Sequence, residues 1–196
     1  MHRLGLTVVA FALMSCDKVD YLDVQPSTVV LKQPNNMVEL RVTPKRRNGQ
    51  ALSPVVLGWK SLNEAVAKVD GQGRVSPVAS GTTDIQVNHG EISARVPVEV
   101  VFVERIEVTP PALTLVEGGE GAEVSVRVFG PGGRELKDRS AAYRSLDKSI
   151  VAMAQKTALP GHAGESSIEI SVDAVKASLK VIVEPEKRGP TLKKSK

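Results

Sequence analysis

One pattern of about eighty residues is written twice in this chain. That duplication restricts the fold more than any other feature, because each copy must close a core of its own. A shift of 84 residues lays Leu22-Asp23-Val24-Gln25-Pro26 and Leu31 on Ile106-Glu107-Val108-Thr109-Pro110 and Leu115. The same shift lays Trp59-Lys60-Ser61-Leu62-Asn63 and Val66 on Tyr143-Arg144-Ser145-Leu146-Asp147 and Ile150. At a shift of 83, Gly81, Ile85 and Val87 meet Gly164, Ile168 and Ile170, while Val96, Val98 and Val100 meet Leu179, Val181 and Val183. A one-residue drift between blocks is what a loop insertion produces.

Within each copy apolar and polar residues alternate with period two, the mark of strands that bury one face. Val38, Leu40 and Val42 alternate with Glu39 and Arg41, and Val124, Val126 and Val128 with Ser125 and Arg127. Turn chemistry separates the runs at Asn48-Gly49, Asp70-Gly71-Gln72-Gly73, Asn88-His89-Gly90 and Gly130-Pro131-Gly132-Gly133. Thirty valines with few aromatic residues favour sheet over helix. The chain is therefore expected to be all-β, with one β-sandwich in each of two tandem copies after a short N-terminal segment. The expected bounds are residues 21–101 and 104–184. Trp59 and Tyr143 are expected as the central plugs of the two cores. Val100-Val101-Phe102-Val103 is continuously apolar, so the last strand of one sandwich is expected to run straight into the next, making a short, stiff rod. A single cysteine excludes an intrachain disulfide.

Residues 1–15 read as an export signal: His2 and Arg3 form a short polar start, Leu4 to Met14 is apolar and uncharged, and small Ser15 follows. Eleven such residues fall short of the roughly 17 to 25 that span a bilayer, so the stretch is read as an h-region that is removed. Leu13-Met14-Ser15-Cys16 resembles the lipobox of bacterial lipoproteins, in which the cysteine is lipidated and becomes the mature N-terminus. The resemblance implies several acyl chains, palmitate among them, on Cys16, with residues 16–20 as a lipidated tether. Two or more chains hold a protein on a membrane almost permanently, at about 0.8 kcal/mol per buried methylene. Asp17 resembles the enterobacterial signal for retention in the inner membrane, and sorting rules that differ between bacterial groups leave both membranes open.

Both copies resemble the bacterial Ig-like domain, group 2, of intimin- and invasin-type adhesins. The resemblance rests on Leu22-Asp23-Val24-Gln25-Pro26, on Trp59-Lys60-Ser61-Leu62-Asn63 leading to Val66-Ala67-Lys68-Val69-Asp70, on Gly73-Arg74-Val75-Ser76-Pro77, and on Ala79-Ser80-Gly81-Thr82-Thr83-Asp84-Ile85. The second copy departs from the pattern, with Tyr143 for the tryptophan and no Asp-Gly-like hairpin between Ala152 and Ala163. The resemblance implies two tandem immunoglobulin-like β-sandwiches used as a spacer or adhesive module of the cell envelope, and it supplies no catalytic residues.

The chemistry of the chain agrees with such a module. It has no nucleophile elbow, zinc-protease helix, phosphate loop or cysteine pair. His89 and His162 lie in turns at different places in their copies and are read as surface residues, so no catalytic residue, cofactor or small-molecule substrate is expected. Glu117, Glu120 and Glu123 crowd one glycine-rich loop and are weak calcium candidates, but they lack EF-hand spacing and the matching loop Lys32-Gln33-Pro34-Asn35-Asn36 carries no acid.

The net charge of +4 is lopsided: residues 17–185 hold 20 basic and 21 acidic groups. The excess sits in a tail, residues 185–196, that is expected to be disordered, where Lys187, Arg188, Lys193, Lys194 and Lys196 face one acid, Glu186. Those bases are candidates for docking on anionic lipid, wall polymer or an acidic protein. Nucleic acid is not expected, since no aromatic stacking platform accompanies them. The expected function is non-enzymatic: a lipid-anchored envelope protein that binds an unidentified envelope or surface protein, or else a passive spacer subunit of an envelope, secretion or motility assembly.

Overall fold

A computed structural model describes residues 18–187. Alternating burial makes strands of the apolar runs. The first nine are β1 (Tyr21–Gln25), β2 (Val29–Leu31), β3 (Val38–Glu39), β4 (Arg41–Lys45), β5 (Gly58–Ser61), β6 (Ala67–Val69), β7 (Arg74–Pro77), β8 (Gly81–His89) and β9 (Ile92–Val100). They pair only with one another, as β1-β4, β3-β7-β6 and β2-β9-β8-β5, with β2 parallel to β9 and every other pair antiparallel. Leu40 lies between β3 and β4, and its N–H goes to Gly73 O at 2.9 Å. Through β3 and β4 the chain thus joins two short ladders into one layer.

The second nine repeat the plan: β10 (Arg105–Thr109), β11 (Ala112–Val116), β12 (Ala122–Glu123), β13 (Ser125–Phe129), β14 (Ala142–Ser145), β15 (Val151–Ala154), β16 (Thr157–Pro160), β17 (Gly164–Val172) and β18 (Val175–Glu184). Their ladders are β10-β13, β12-β16-β15 and β11-β18-β17-β14, again with one parallel pair, β11 with β18. Registers coincide as well: Trp59 opposes Val87 as Tyr143 opposes Ile170, and Gly81 opposes Val100 as Gly164 opposes Val183. A single 3-10 turn, Pro131–Gly133, is the sole helical element among the described residues.

In each half the apolar faces of the two layers meet in one cluster. Leu31, Ile85, Val87, Val75, Val96 and Val98 fill the first, and Ile168, Ile170, Leu179, Val181, Val124 and Val151 the second. Each fully buried aliphatic side chain contributes about 1.5 to 3 kcal/mol relative to leaving it in water. A sheet whose first strand runs parallel to its last, packed on a second sheet that the same edge of the chain also enters, is the immunoglobulin-like β-sandwich.

Two expectations need correction. Trp59 and Tyr143 do not plug the core centres: both are only half-buried and pack against the clusters from the side. The reason is position, since β5 and β14 end their sheets and a large ring there covers the open flank. Nor does one strand run through the junction. β9 ends at Val100 and β10 starts at Arg105, with Val101–Glu104 outside any ladder.

Repetition is also incomplete in chemistry. Buried Ser61 donates its Oγ hydrogen to Ala67 O at 2.7 Å, whereas the matching Ser145 Oγ has no partner. Where the second half lacks an Asp-Gly-like turn, β15 and β16 are still joined tightly, with Gln155 at φ +55°.

Candidate protein-binding surface

Edge strands carry backbone N–H and C=O groups with no ladder partner on one side, and so are where another chain can add. In the first sandwich β5 and β6 end their sheets, and in the second β14 and β15 do. Beside the first of these edges the outer face of β2-β9-β8-β5 is concave. Alternation along β2 turns Val29 and Leu31 inward and leaves Val30 48% exposed. Leu62, just past β5, is 44% exposed. Together with Thr82, Asp84, Pro97 and Glu99 they line a hollow of about 590 Å³.

A second hollow of about 340 Å³ adjoins it, sharing Val30 and Glu99 and continuing over Lys32, Arg134, Leu136 and Asp138. The two make a continuous surface of mixed apolar and charged character.

The ion pairs on this surface join the two halves. Lys32 Nζ lies 2.6 Å from Asp138 Oδ2, and Arg134 Nη2 lies 3.1 Å from Glu99 Oε1. The Lys32 ammonium, followed by the nearby Arg139 guanidinium, holds the Asp138 carboxyl below the ordinary aspartate range. At the far side of the first sandwich, Lys45 does the same to Asp23 across 2.6 Å and has its own ammonium pushed up in return. On the second sandwich, Arg105 and Arg127 lie over the Phe129 ring at 3.9 and 4.9 Å from its centre, and both pair with Glu107.

The residues singled out in the sequence are scattered. His89 Nδ1 sits 2.9 Å from Val56 O, tying the end of β8 to the loop before β5. His162 lies between β16 and β17 in the other sandwich, 82% exposed, with Nδ1 3.2 Å from Glu117 Oε1. Neither has a nucleophile beside it among the contacts of the described residues. Glu117 and Glu120 lie between β11 and β12, while Glu123 is in β12. Among the described residues no group of three or more His, Cys, Asp or Glu is placed to hold a metal ion. Cys16, Asp17, Arg188, Lys193, Lys194 and Lys196 lie outside the described residues, and Lys187 is the last residue within them.

What the sequence did not single out is the seam between the sandwiches. There Arg139, Asp138 and Asp173 meet Lys32 and Gln33, residues 34 to 140 positions apart. A signal existed in Leu136-Lys137-Asp138-Arg139, an apolar residue followed by alternating charges in a loop. Nothing in one sequence says which distant carbonyl or carboxylate such a loop faces.

No family model matches the chain, and no curated protein matches it. Among solved structures, surface layer protein SbsC domains 1-6 aligns at TM-score 0.41 and 20% identity, over 87% of this chain and 28% of that one. The C-terminal 282-residue fragment of intimin, in complex with the intimin-binding domain of its translocated receptor, aligns at TM-score 0.40 and 14% identity, over 86% of this chain and 64% of that one. The Yersinia pseudotuberculosis adhesin InvE aligns at TM-score 0.35 and 9% identity, over 83% of this chain and 58% of that one. The chain thus spans less than two thirds of the length of each, and the likeness is confined to the fold.

Proposed function

We propose that this protein is a non-enzymatic, lipid-anchored component of a bacterial cell envelope, whose tandem immunoglobulin-like sandwiches, of the group 2 kind, bind another envelope or surface protein. The carrying observation is the hollow over Val30 and Leu62, an apolar floor on an outer sheet face beside the open edge of β5. An open edge strand with apolar side chains beside it offers a partner chain both free backbone groups and apolar contact. Cys16 supplies the tether through acyl chains, residues 21–101 and 104–184 are the two projecting units, and no helix of the described residues is long and apolar enough to cross a membrane. Asp17 favours the inner membrane under enterobacterial sorting rules.

The spacer reading differs in one respect: contact is then made only by the basic residues Lys187, Arg188, Lys193, Lys194 and Lys196. A photo-crosslinking amino acid placed in intact cells at Lys60, at Leu62 or at Lys193 separates the two. Adducts with a second protein from Lys60 and Leu62 support docking on the sandwich face. Adducts from Lys193 alone support the spacer and overturn the docking proposal.

A further inference from the structure

The junction between the sandwiches contains a core of its own. Val101 and Val103, between β9 and β10, pack with Val128, Leu136 and Val172 of the second half, all of them buried. The backbone there is anchored to the first sandwich, with Val101 N–H donating to Leu31 O at 2.9 Å and Phe102 N–H to Ser80 Oγ at 3.0 Å.

Against this small core lies Arg139, whose side chain is only 7% exposed. Its guanidinium donates to three acceptors: Nη2 to Val101 O at 3.1 Å, Nε to Asp173 Oδ2 at 3.1 Å, and Nη1 to Asp138 Oδ2 at 2.8 Å. The two aspartates then reach the first sandwich. Asp173 Oδ1 accepts from Gln33 Nε2 at 2.9 Å, and Asp138 Oδ2 accepts from Lys32 Nζ at 2.6 Å.

We propose that Arg139 is the pin of a rigid joint, fixing the angle between the two sandwiches. Exposed pairs such as Lys32 with Asp138 hold little on their own. A buried guanidinium with three acceptors in its planar fork is different, because removing it takes the charged donor from a carboxylate that is 13% exposed, leaving it Gln33 alone, and the side-chain donor from the Val101 carbonyl at the same time. The duplication supplies an internal control. The positions matching Arg139 and Asp173 in the first half are Val55 and Gly90, in loops of matching place. The sandwich therefore closes without this pair, and the pair belongs to the joint. A fixed angle also keeps the hollow over Val30 continuous with the one that crosses the seam at Arg134 and Leu136.

Spin labels on exposed strand positions test this in the full chain: Arg95→Cys on β9 and Ser178→Cys on β18, with Cys16→Ser leaving those two as the sole thiols. Electron–electron dipolar spectroscopy on the otherwise native chain should give one narrow distance distribution. Arg139→Ala should at least double its width while the Trp59 emission and far-ultraviolet dichroism stay unchanged, and Arg139→Lys should fall between. Should Arg139→Ala fail to fold, the exposed double variant Lys32→Ala with Gln33→Ala, which removes the partners from the other side, should broaden the distribution in its place. A distribution as narrow in these variants as in the parent, or a parent already as broad as Arg139→Ala, overturns the proposal.

Discussion

At the scale of single residues, the two copies agree where geometry admits one solution. Gly81 and Gly164 both have φ values of the left-handed half, +151° and +159°, and at each a Cβ would stand 3.0 Å from the β-branched side chain that caps it, Val66 or Ile150. This pair was legible from the alignment because both backbone and packing demand glycine. Gly73 is stricter still: φ is +80°, and a Cβ would lie 2.6 Å from the Trp59 ring. Gly73→Ala is expected to destabilise the first sandwich by about 2 to 4 kcal/mol, combining left-handed strain with overpacking. Urea titration followed by the emission of Trp59, the one tryptophan, checks it. Ile85→Ala, at a fully buried site, is expected to cost about 2 to 5 kcal/mol by the same measurement. Burial of Trp59 itself was misjudged in the sequence because size alone does not tell a centre from a flank; strand order does.

Elements were legible wherever period-two alternation was long, as in β8, β9, β17 and β18, whose inward residues are the ones the pattern marks. Short elements were not. The run from Val100 to Val103 looked like continuous strand because its side chains are apolar, yet they are apolar to fill the junction core, and hydropathy does not distinguish the two. Turns behave as their chemistry suggests. In Asp70-Gly71-Gln72-Gly73-Arg74 the carboxylate accepts the Arg74 backbone N–H at 3.0 Å and its Nε at 2.7 Å, which, with the Gln72 N–H, holds Asp70 below the ordinary aspartate range. The first-half turn at Asn63 and its counterpart at Asp147 use one device, a side-chain oxygen accepting the N–H two residues on, and the Ser149 contacts likewise hold Asp147 below that range. A carboxyl whose folded value is depressed stabilises the fold above its unfolded value and loses that contribution as pH falls. Thermal stability should therefore decline as pH drops below about 4, the ordinary aspartate value. Asp70→Asn should lower the melting temperature at pH 7 and reduce the remaining decline on acidification. Melting curves by circular dichroism between pH 7 and pH 2 check both signs.

For the whole molecule, the duplication dictated two separate cores, because strands of one copy find all their ladder partners within it. How the copies meet was not legible: Arg139, Asp138 and Asp173 act only through residues far away in sequence, on the other side of the seam. The same division applies to function. Residue chemistry excludes the common catalytic motifs, but a docking face is a property of several strands together, and Val30 and Leu62 become neighbours of one hollow only after folding. The proposed attachment point is the reverse case, a local signal in four residues, and under that proposal it sets what the two sandwiches project from. Intact mass of the protein extracted from the membrane fraction of its own cells tests that most directly. The account predicts a chain beginning at Cys16 and heavier than its amino acids by several acyl chains, with Cys16→Ala either unprocessed or released from the membrane fraction. A soluble protein of unmodified mass that retains Met1 would contradict it.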